Sequence, residues 1–257
     1  MTTTGRFTWY ELMTKDTAAA ASFYDKVVGW TSAAMGQSGS GTPYTVFSTA
    51  EGGVAGLLET PPEAQGAPPA WWGYVSVDDV DAYAKKFEAA GGAVHRPPAD
   101  IPSIGRFSVV ADPQGAMLVL FKAEPRPDGV APPALDAPGY PSWRELMTTD
   151  GPSAVEFYTG MFGWEKSTGH DMGPMGVYQL FAYDGADRGG IMTRPPQMPT
   201  SNWGYVFRVD AIGPATERLK AAGGSVLNGP MQVPTGDWIV QALDRQGAWF
   251  CLQSPNA

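Results

Sequence analysis

The chain repeats itself. The segment "TWYELMTKDTAAAASFYDKVVGW" from Thr8 aligns without a gap on "SWRELMTTDGPSAVEFYTGMFGW" from Ser142, matching Glu11 to Glu145, Asp16 to Asp150 and Tyr24 to Tyr158 at an offset of 134 (145 − 11). Gly29 and Trp30 match Gly163 and Trp164 at the same offset. Further along, Trp72, Gly73 and Tyr74 match Trp203, Gly204 and Tyr205 at 131, while the "AAGG" runs from Ala89 and Ala221 and the turns "DPQGA" from Asp112 and "DRQGA" from Asp244 match at 132. Self-similarity of this kind means the fold is assembled from copies of one supersecondary unit. It places a first domain at 1–124 and a second at 140–257. Between them, residues 125–139 are rich in proline, which lacks an amide donor and has a fixed φ, and they read as an extended connector.

A finer period runs inside each half. Residues 7–13 alternate with the strand period, Asp16 is placed to cap a helix over 18–28, and Gly29 stops it; Asp150 and Gly163 do the same in the second half. Aromatic and β-branched runs at 44–47 and 178–183 then read as strands. A second module opens with a strand at 72–77, continues as a helix over 80–90 stopped by Gly91, and closes with strands at 107–111 and 116–121 around "DPQG". The order strand, helix, three strands thus occurs four times, giving an α+β chain of four βαβββ modules. A unit of that size cannot bury both its sheet face and its helix alone, so modules must pair.

Composition narrows the partners. Asp and Glu number 26 against 17 Lys and Arg, a net charge of −9, so the chain's own field repels nucleic acid and anionic membrane surfaces. One cysteine permits no internal disulfide and no thiolate metal cluster. The start of the chain shows no basic stretch leading into an apolar core, and no apolar run is long enough to span a bilayer. These features predict a cytoplasmic protein, a monomer or homodimer, whose partner is a small molecule.

The helix ending in Phe23, Tyr24, Gly29 and Trp30, the second helix ending in "AAGG" and the final "DPQGAMLVLF" hairpin resemble the vicinal oxygen chelate superfamily, which includes glyoxalase I, extradiol dioxygenases and bleomycin and fosfomycin resistance proteins. The resemblance covers nearly the whole chain, once per half, and is strongest to a tandem actinobacterial subgroup called glyoxalase-like or, for some members, hydroxylases. It implies two tandem glyoxalase-like domains whose curved mixed sheets form open barrels around a site. Members with a metal bind it through His or Gln on the first strand, His on the strand opening the second module, and late carboxylates. In this chain the resemblance puts Trp9 and Trp143 at the first position, Trp72 and Trp203 at the second, Gly56 and Gly190 on the fourth strand, and Val119 and Cys251 in the last hairpin. Indole offers a cation no lone pair. No metal and no other cofactor is therefore expected. The two histidines, His95 in one half and His170 in a Gly-rich loop of the other, occupy non-equivalent places.

Glu11 and Glu145 are the candidate catalytic residues. Strand alternation puts Trp9, Glu11 and Met13 on one side, and the resemblance turns that side toward the cavity. A carboxylate among Trp and Met is desolvated and suits a general base; equally, each Glu has the chemistry of a structural acceptor. Trp9, Trp72, Tyr74, Trp143, Trp203 and Tyr205 are the candidate ligand-binding residues, since aromatic walls stack flat, apolar or cationic ligands; core filling is the competing role. Tyr24 and Tyr158 read as core, and the "DPQG" and "DRQG" turns as plain hairpin turns. Arg106 and Asp237 differ between halves near late strands and are candidates for tuning ligand choice. Two functions follow. One is a metal-independent binding protein for a hydrophobic aromatic or polyketide-like metabolite. The other is a metal-free isomerase, lyase, cyclase or cofactor-free hydroxylase using Glu11 or Glu145. A metal-dependent glyoxalase or dioxygenase conflicts with the missing donors.

Overall fold

Each module begins with a largely buried strand followed by a helix, and the helices of the first and third modules are bounded by an Asp N-cap and a left-handed glycine. In the computed structural model, which describes residues 4–38, 41–64, 66–124, 137–233 and 235–257, the first module comprises β1 (Phe7–Thr14), α1 (Thr17–Val28), β2 (Thr31–Gln37), β3 (Pro43–Thr49) and β4 (Gly52–Glu59). The Asp16 carboxylate accepts from the Ala19 amide at 2.9 Å to start α1, and Gly29 ends it at φ 89°, a left-handed conformation natural to glycine. The second module comprises β5 (Ala70–Ser76), α2 (Val80–Ala89), β6 (Ala93–Ile101), β7 (Gly105–Ala111) and β8 (Met117–Ala123). The third is β9 (Pro141–Thr148), α3 (Gly151–Phe162), β10 (Glu165–Asp171), β11 (Val177–Tyr183) and β12 (Ala186–Thr193). The fourth is β13 (Asn202–Arg208), α4 (Ile212–Ala221), β14 (Ser225–Gln232), β15 (Trp238–Leu243) and β16 (Trp249–Ser254). His170 lies on β10 rather than in a loop.

The strands form two mixed eight-stranded sheets, curved but not closed, in the orders β2-β3-β4-β1-β5-β8-β7-β6 and β10-β11-β12-β9-β13-β16-β15-β14. In each module the first strand pairs parallel with the last, as β1 does with β4 and β13 with β16, and the remaining neighbours run antiparallel. The connector expected at 125–139 falls mostly on 125–136, outside the described residues.

Packing regroups the modules. One compact unit draws its described residues from Met1–Thr8, Trp72–Gly129 and Arg144–Gly204, the other from Trp9–Trp71, Val130–Trp143 and Tyr205–Ala257. Each therefore joins a module of the first half to one of the second. In the first unit Phe87 of α2 packs edge-on to Phe157 of α3 with ring centres 5.2 Å apart, and Tyr83 stacks on Phe162 at 6.1 Å. In the second, α1 lies against α4, and Tyr24, Trp30, Trp71, Phe207 and Phe250 form one aromatic cluster. This is the pairing that small modules require, met across the two halves.

Candidate functional site

The repeat's most prominent polar residues become clasps. In the first unit the Trp203 indole donates to the Tyr158 hydroxyl at 3.2 Å, and that hydroxyl donates to Asp112 Oδ2 at 3.0 Å. Asp112 Oδ1 also accepts from the amides of Gln114 and Ala116. In the second unit Trp71 donates to Tyr24 at 2.8 Å, and Tyr24 to Asp244 Oδ2 at 3.3 Å, while Asp244 Oδ1 accepts from the amides of Gln246 and Ala248. Burial raises both carboxyls above the ordinary value, against the lowering effect of those amides. The glutamine of each turn then takes the helix cap of the other half. Gln246 accepts from the Asp16 amide at 2.9 Å and donates to its carbonyl at 2.8 Å, and Gln114 does the same at Asp150. Hence "DPQG" and "DRQG" are more than turns: each joins modules of different halves.

These contacts also correct a register. Tyr74 pairs with Val119, and Val206 pairs with Cys251. Val119 and Cys251 are equivalent at 132 (251 − 119), so Tyr74 corresponds to Val206 and Trp71, not Trp72, to Trp203. A one-residue slip in a strand exchanges its faces. Trp203 is accordingly 1% exposed among Trp164, Phe181 and Tyr158, and Tyr205 is fully buried against Tyr10. Both expected ligand-binding roles give way to core packing. Trp72 and Gly204 instead occupy equivalent places, and Trp72 is half-buried on the face opposite Trp71.

The first-strand carboxylates do acquire a specific setting. Glu11 lies opposite Gly56 in the parallel β1/β4 pair, and Tyr44 of β3 reaches across that glycine to donate to Glu11 Oε1 at 2.7 Å. The Trp9 indole donates to the same hydroxyl at 2.9 Å. A Cβ at position 56 would stand 1.9 Å from the Tyr44 oxygen, so the glycine is required by this crossing. Burial first, then the charge and hydrogen bond of Glu11, push the Tyr44 hydroxyl far above the ordinary phenol value, so it remains a donor. In the other unit Glu145 lies opposite Gly190, whose Cβ would meet Tyr178 at 2.1 Å, and Tyr178 donates to Glu145 at 3.1 Å. Glu11 is 7% exposed and Glu145 half-buried. Trp143 is half-buried on β9. Tyr44 and Tyr178 went unnoticed as site residues, although their shared offset of 134 (178 − 44) and strand alternation were available signals.

The positions that the resemblance assigns to metal donors do not fit a divalent cation. Trp9, Trp143, Trp72 and Trp203 offer no lone pair, and neither Val119 nor Gly204, which takes the place of Trp203 in the corrected register, offers a side-chain donor. Cys251 offers a single buried thiol, and the space over Gly56 and Gly190 is filled by tyrosine rings. Among the described residues no group of three or more His, Cys, Asp or Glu converges. His95 is exposed on β6, and Arg106 is committed to Asp81 and Asp100 at 2.7 Å each. A cavity of about 240 Å³ lies beside the Gln114 clasp, lined by Asp150, Ser153 and Phe157 and by none of the expected ligand-binding residues.

The second modules of the two halves differ on the face away from the core. On the second module Tyr74 meets Phe121 edge-on at 5.7 Å, and the Arg96 guanidinium lies 4.8 Å above Phe107. Register makes Val206, Gln253 and Ile239 the equivalents of Tyr74, Phe121 and Phe107.

Four βαβββ modules, each with its first and last strands paired parallel, and a carboxylate on the first strand of the leading module of each half define a tandem chain built on the glyoxalase plan. A family model described as Glyoxalase/Bleomycin resistance protein/Dioxygenase superfamily matches residues 6–120 and 142–252, and the chain belongs to that superfamily. It is 32% identical over 248 residues to a Mycobacterium tuberculosis protein named "Putative glyoxylase CFP32", covering 96% of this chain and 94% of the relative. It is 31% identical over 266 residues to the anthracycline biosynthesis protein DnrV of Streptomyces peucetius, covering 95% and 91%. Its fold is also that of the Mn(II)-bound glyoxalase from Novosphingobium aromaticivorans, with a TM-score of 0.64, 20% identity, and coverage of 100% and 83%. No described helix is long and apolar enough to cross a membrane.

Proposed function

We propose that the chain is a metal-independent binding protein for a flat, hydrophobic, aromatic or polyketide-like small molecule, working in the cytoplasm as a monomer or homodimer. The observation that carries this reading is the replacement of donors by a Trp9–Tyr44–Glu11 set, with tyrosine rings filling the space over Gly56 and Gly190. Trp9 and Trp143 in one unit and Trp72 in the other are half-buried and supply aromatic surface for stacking, while Tyr74, 6% exposed, contributes little. The name of DnrV, an anthracycline biosynthesis protein, supports a ligand of this class. The test is a fluorescence titration with anthraquinone ligands, before and after exhaustive chelation, on wild type and on Trp9→Ala and Trp72→Ala. Unchanged binding after chelation and weakened binding in the tryptophan variants are expected. Binding that vanishes with the metal refutes the proposal.

A second reading, a metal-free isomerase, lyase, cyclase or cofactor-free hydroxylase, is favoured by one feature: the Glu11 carboxylate is fixed by a tyrosine donor in an arrangement repeated at Glu145. A general base needs that fixed geometry. Glu11→Gln and Glu145→Gln separate the readings, because a binding protein retains its ligand in both while an enzyme loses turnover.

A further inference from the structure

The equivalent walls of the two halves have diverged, with Arg96 of the first half matched by Asn228 and Ser76 by Arg208. Where the first half has Ser76 paired with Phe121, the second has Arg208 paired with Gln253. Phe207, the neighbour of Arg208, turns into the aromatic core against Trp30 and Trp71, both at 4.9 Å, which directs Arg208 to the opposite face with Val206 and Gln253. The Arg208 and Asp237 side chains are each 20% exposed, and one Arg208 nitrogen lies 3.6 Å from Asp237 Oδ2. Asp237 is held more closely by the Gln253 amide, which donates to Oδ2 at 2.6 Å, and the Gln253 oxygen accepts from Ser142 at 2.6 Å. The chain Ser142, Gln253, Asp237 thus holds Asp237 Oδ2 independently of Arg208. The guanidinium beside it has only the loose approach to Asp237 as a polar side-chain contact among the described residues.

An arginine carries five donors in a planar fork that matches the two oxygens of a carboxylate. Keeping that fork partly desolvated and loosely countered is costly unless something else fills it. We infer that Arg208 binds a carboxylate borne by the aromatic ligand, with Asp237 as the counter-ion that the ligand displaces. The inference rests on the binding function proposed above and adds the ligand's charge and the half that reads it.

The test uses the full chain and two matched fluorescent probes, anthracene-2-carboxylate and anthracene-2-methanol, titrated by fluorescence anisotropy at low salt. Wild type binds the carboxylate about tenfold or more tightly than the alcohol, the size expected for a charge-assisted bidentate pair. Arg208→Met removes that preference, and Arg208→Lys restores part of it. Asp237→Asn keeps an acceptor for Gln253 but removes the competing charge, and it strengthens the preference, a gain that misfolding does not produce. Equal binding of the two probes by wild type, or a preference that survives Arg208→Met, overturns the inference and leaves the binding function standing. Binding of neither probe overturns both.

Discussion

Replacing Gly56 with alanine puts the Tyr44–Glu11 arrangement under direct mechanical test. The new Cβ would lie 1.9 Å from the Tyr44 oxygen, 2.5 Å from its ring carbon and 2.9 Å from Glu11 Cγ, so a rigid ring must leave its place. Overpacking costs about 1–3 kcal/mol and loss of a hydrogen bond to a charged group about 1.5–3, offset by roughly 0.4–1 from the stiffer unfolded chain. The net destabilisation is roughly 2–5 kcal/mol. Gly53 on the same strand is the control, because its Cβ would meet Val46 at 3.1 Å and Trp9 at 3.4 Å, contacts that small shifts relieve. Gly53→Ala should stay under about 1 kcal/mol. Urea unfolding followed by tryptophan fluorescence measures both, and the decisive variant is Tyr44→Ala combined with Gly56→Ala. If the ring is the obstacle, the alanine at 56 becomes nearly neutral in that background, a coupling of about 2 kcal/mol or more. A Gly56→Ala cost below about 0.5 kcal/mol in wild type, or the same cost with and without Tyr44, refutes the crossing as described.

Other expectations concern the clasps. Gln246→Ala removes both hydrogen bonds to Asp16 and should lower stability by about 1–2 kcal/mol in urea titration, without altering ligand affinity. Trp164→Phe removes the indole donor to the Gly5 carbonyl at 2.7 Å and leaves a buried acceptor unmet, costing about 1–3 kcal/mol by the same assay. The buried Asp112 and Asp244 have raised values in the folded state, so the folded chain holds more protons than the unfolded one between the ordinary carboxylate value and the raised one. Their contribution to stability falls as pH rises through that window and is recovered on acidification. Comparing urea midpoints across it, Asp112→Asn and Asp244→Asn should each flatten this component; an unchanged slope refutes the assignment. Asp210, held low by Arg218, acts in the opposite sense below the ordinary value.

The duplication and the order of elements were legible because helix caps and strand alternation are local: Asp16, Asp150, Gly29 and Gly163 do what their positions predict. The error at Trp72 was also local. Tandem Trp71 and Trp72 precede "GY", so matching letters favoured an offset of 131, while Asp112 with Asp244 and Val119 with Cys251 keep 132. A strand's period of two turned that single residue into exchanged faces for Trp203 and Tyr205. The clasps were illegible for a different reason. Turn chemistry accounts for one oxygen of Asp112, through the amides of Gln114 and Ala116, and nothing local reports that the other awaits a tyrosine 46 residues away. Tyr44 was hidden likewise, because its partner Glu11 lies across Gly56, on a strand two places away in the sheet.

Residues kept in both halves therefore divide into two sets with different meanings. Tyr24 and Tyr158, Trp30 and Trp164, and the two "D-x-Q-G" turns are kept because each half supplies what the other's modules need to pack, so losing either copy opens one compact unit. Glu11 with Tyr44 and Glu145 with Tyr178 are each joined within one half, and those bonds are not part of the clasps. The second modules show the complementary behaviour. Once the register is right, Trp72 faces Gly204 in the comparison, Tyr74 faces Val206, Phe121 faces Gln253 and Ser76 faces Arg208, all on strands whose core-facing residues remain apolar. Drift without selection would not spare the core face alone while leaving a partly exposed arginine whose counter-ion is already hydrogen-bonded elsewhere. Retention of the Tyr–Glu pair in both halves, with divergence confined to the face away from the core, is the pattern expected where one face of an ancestral module has been free to change.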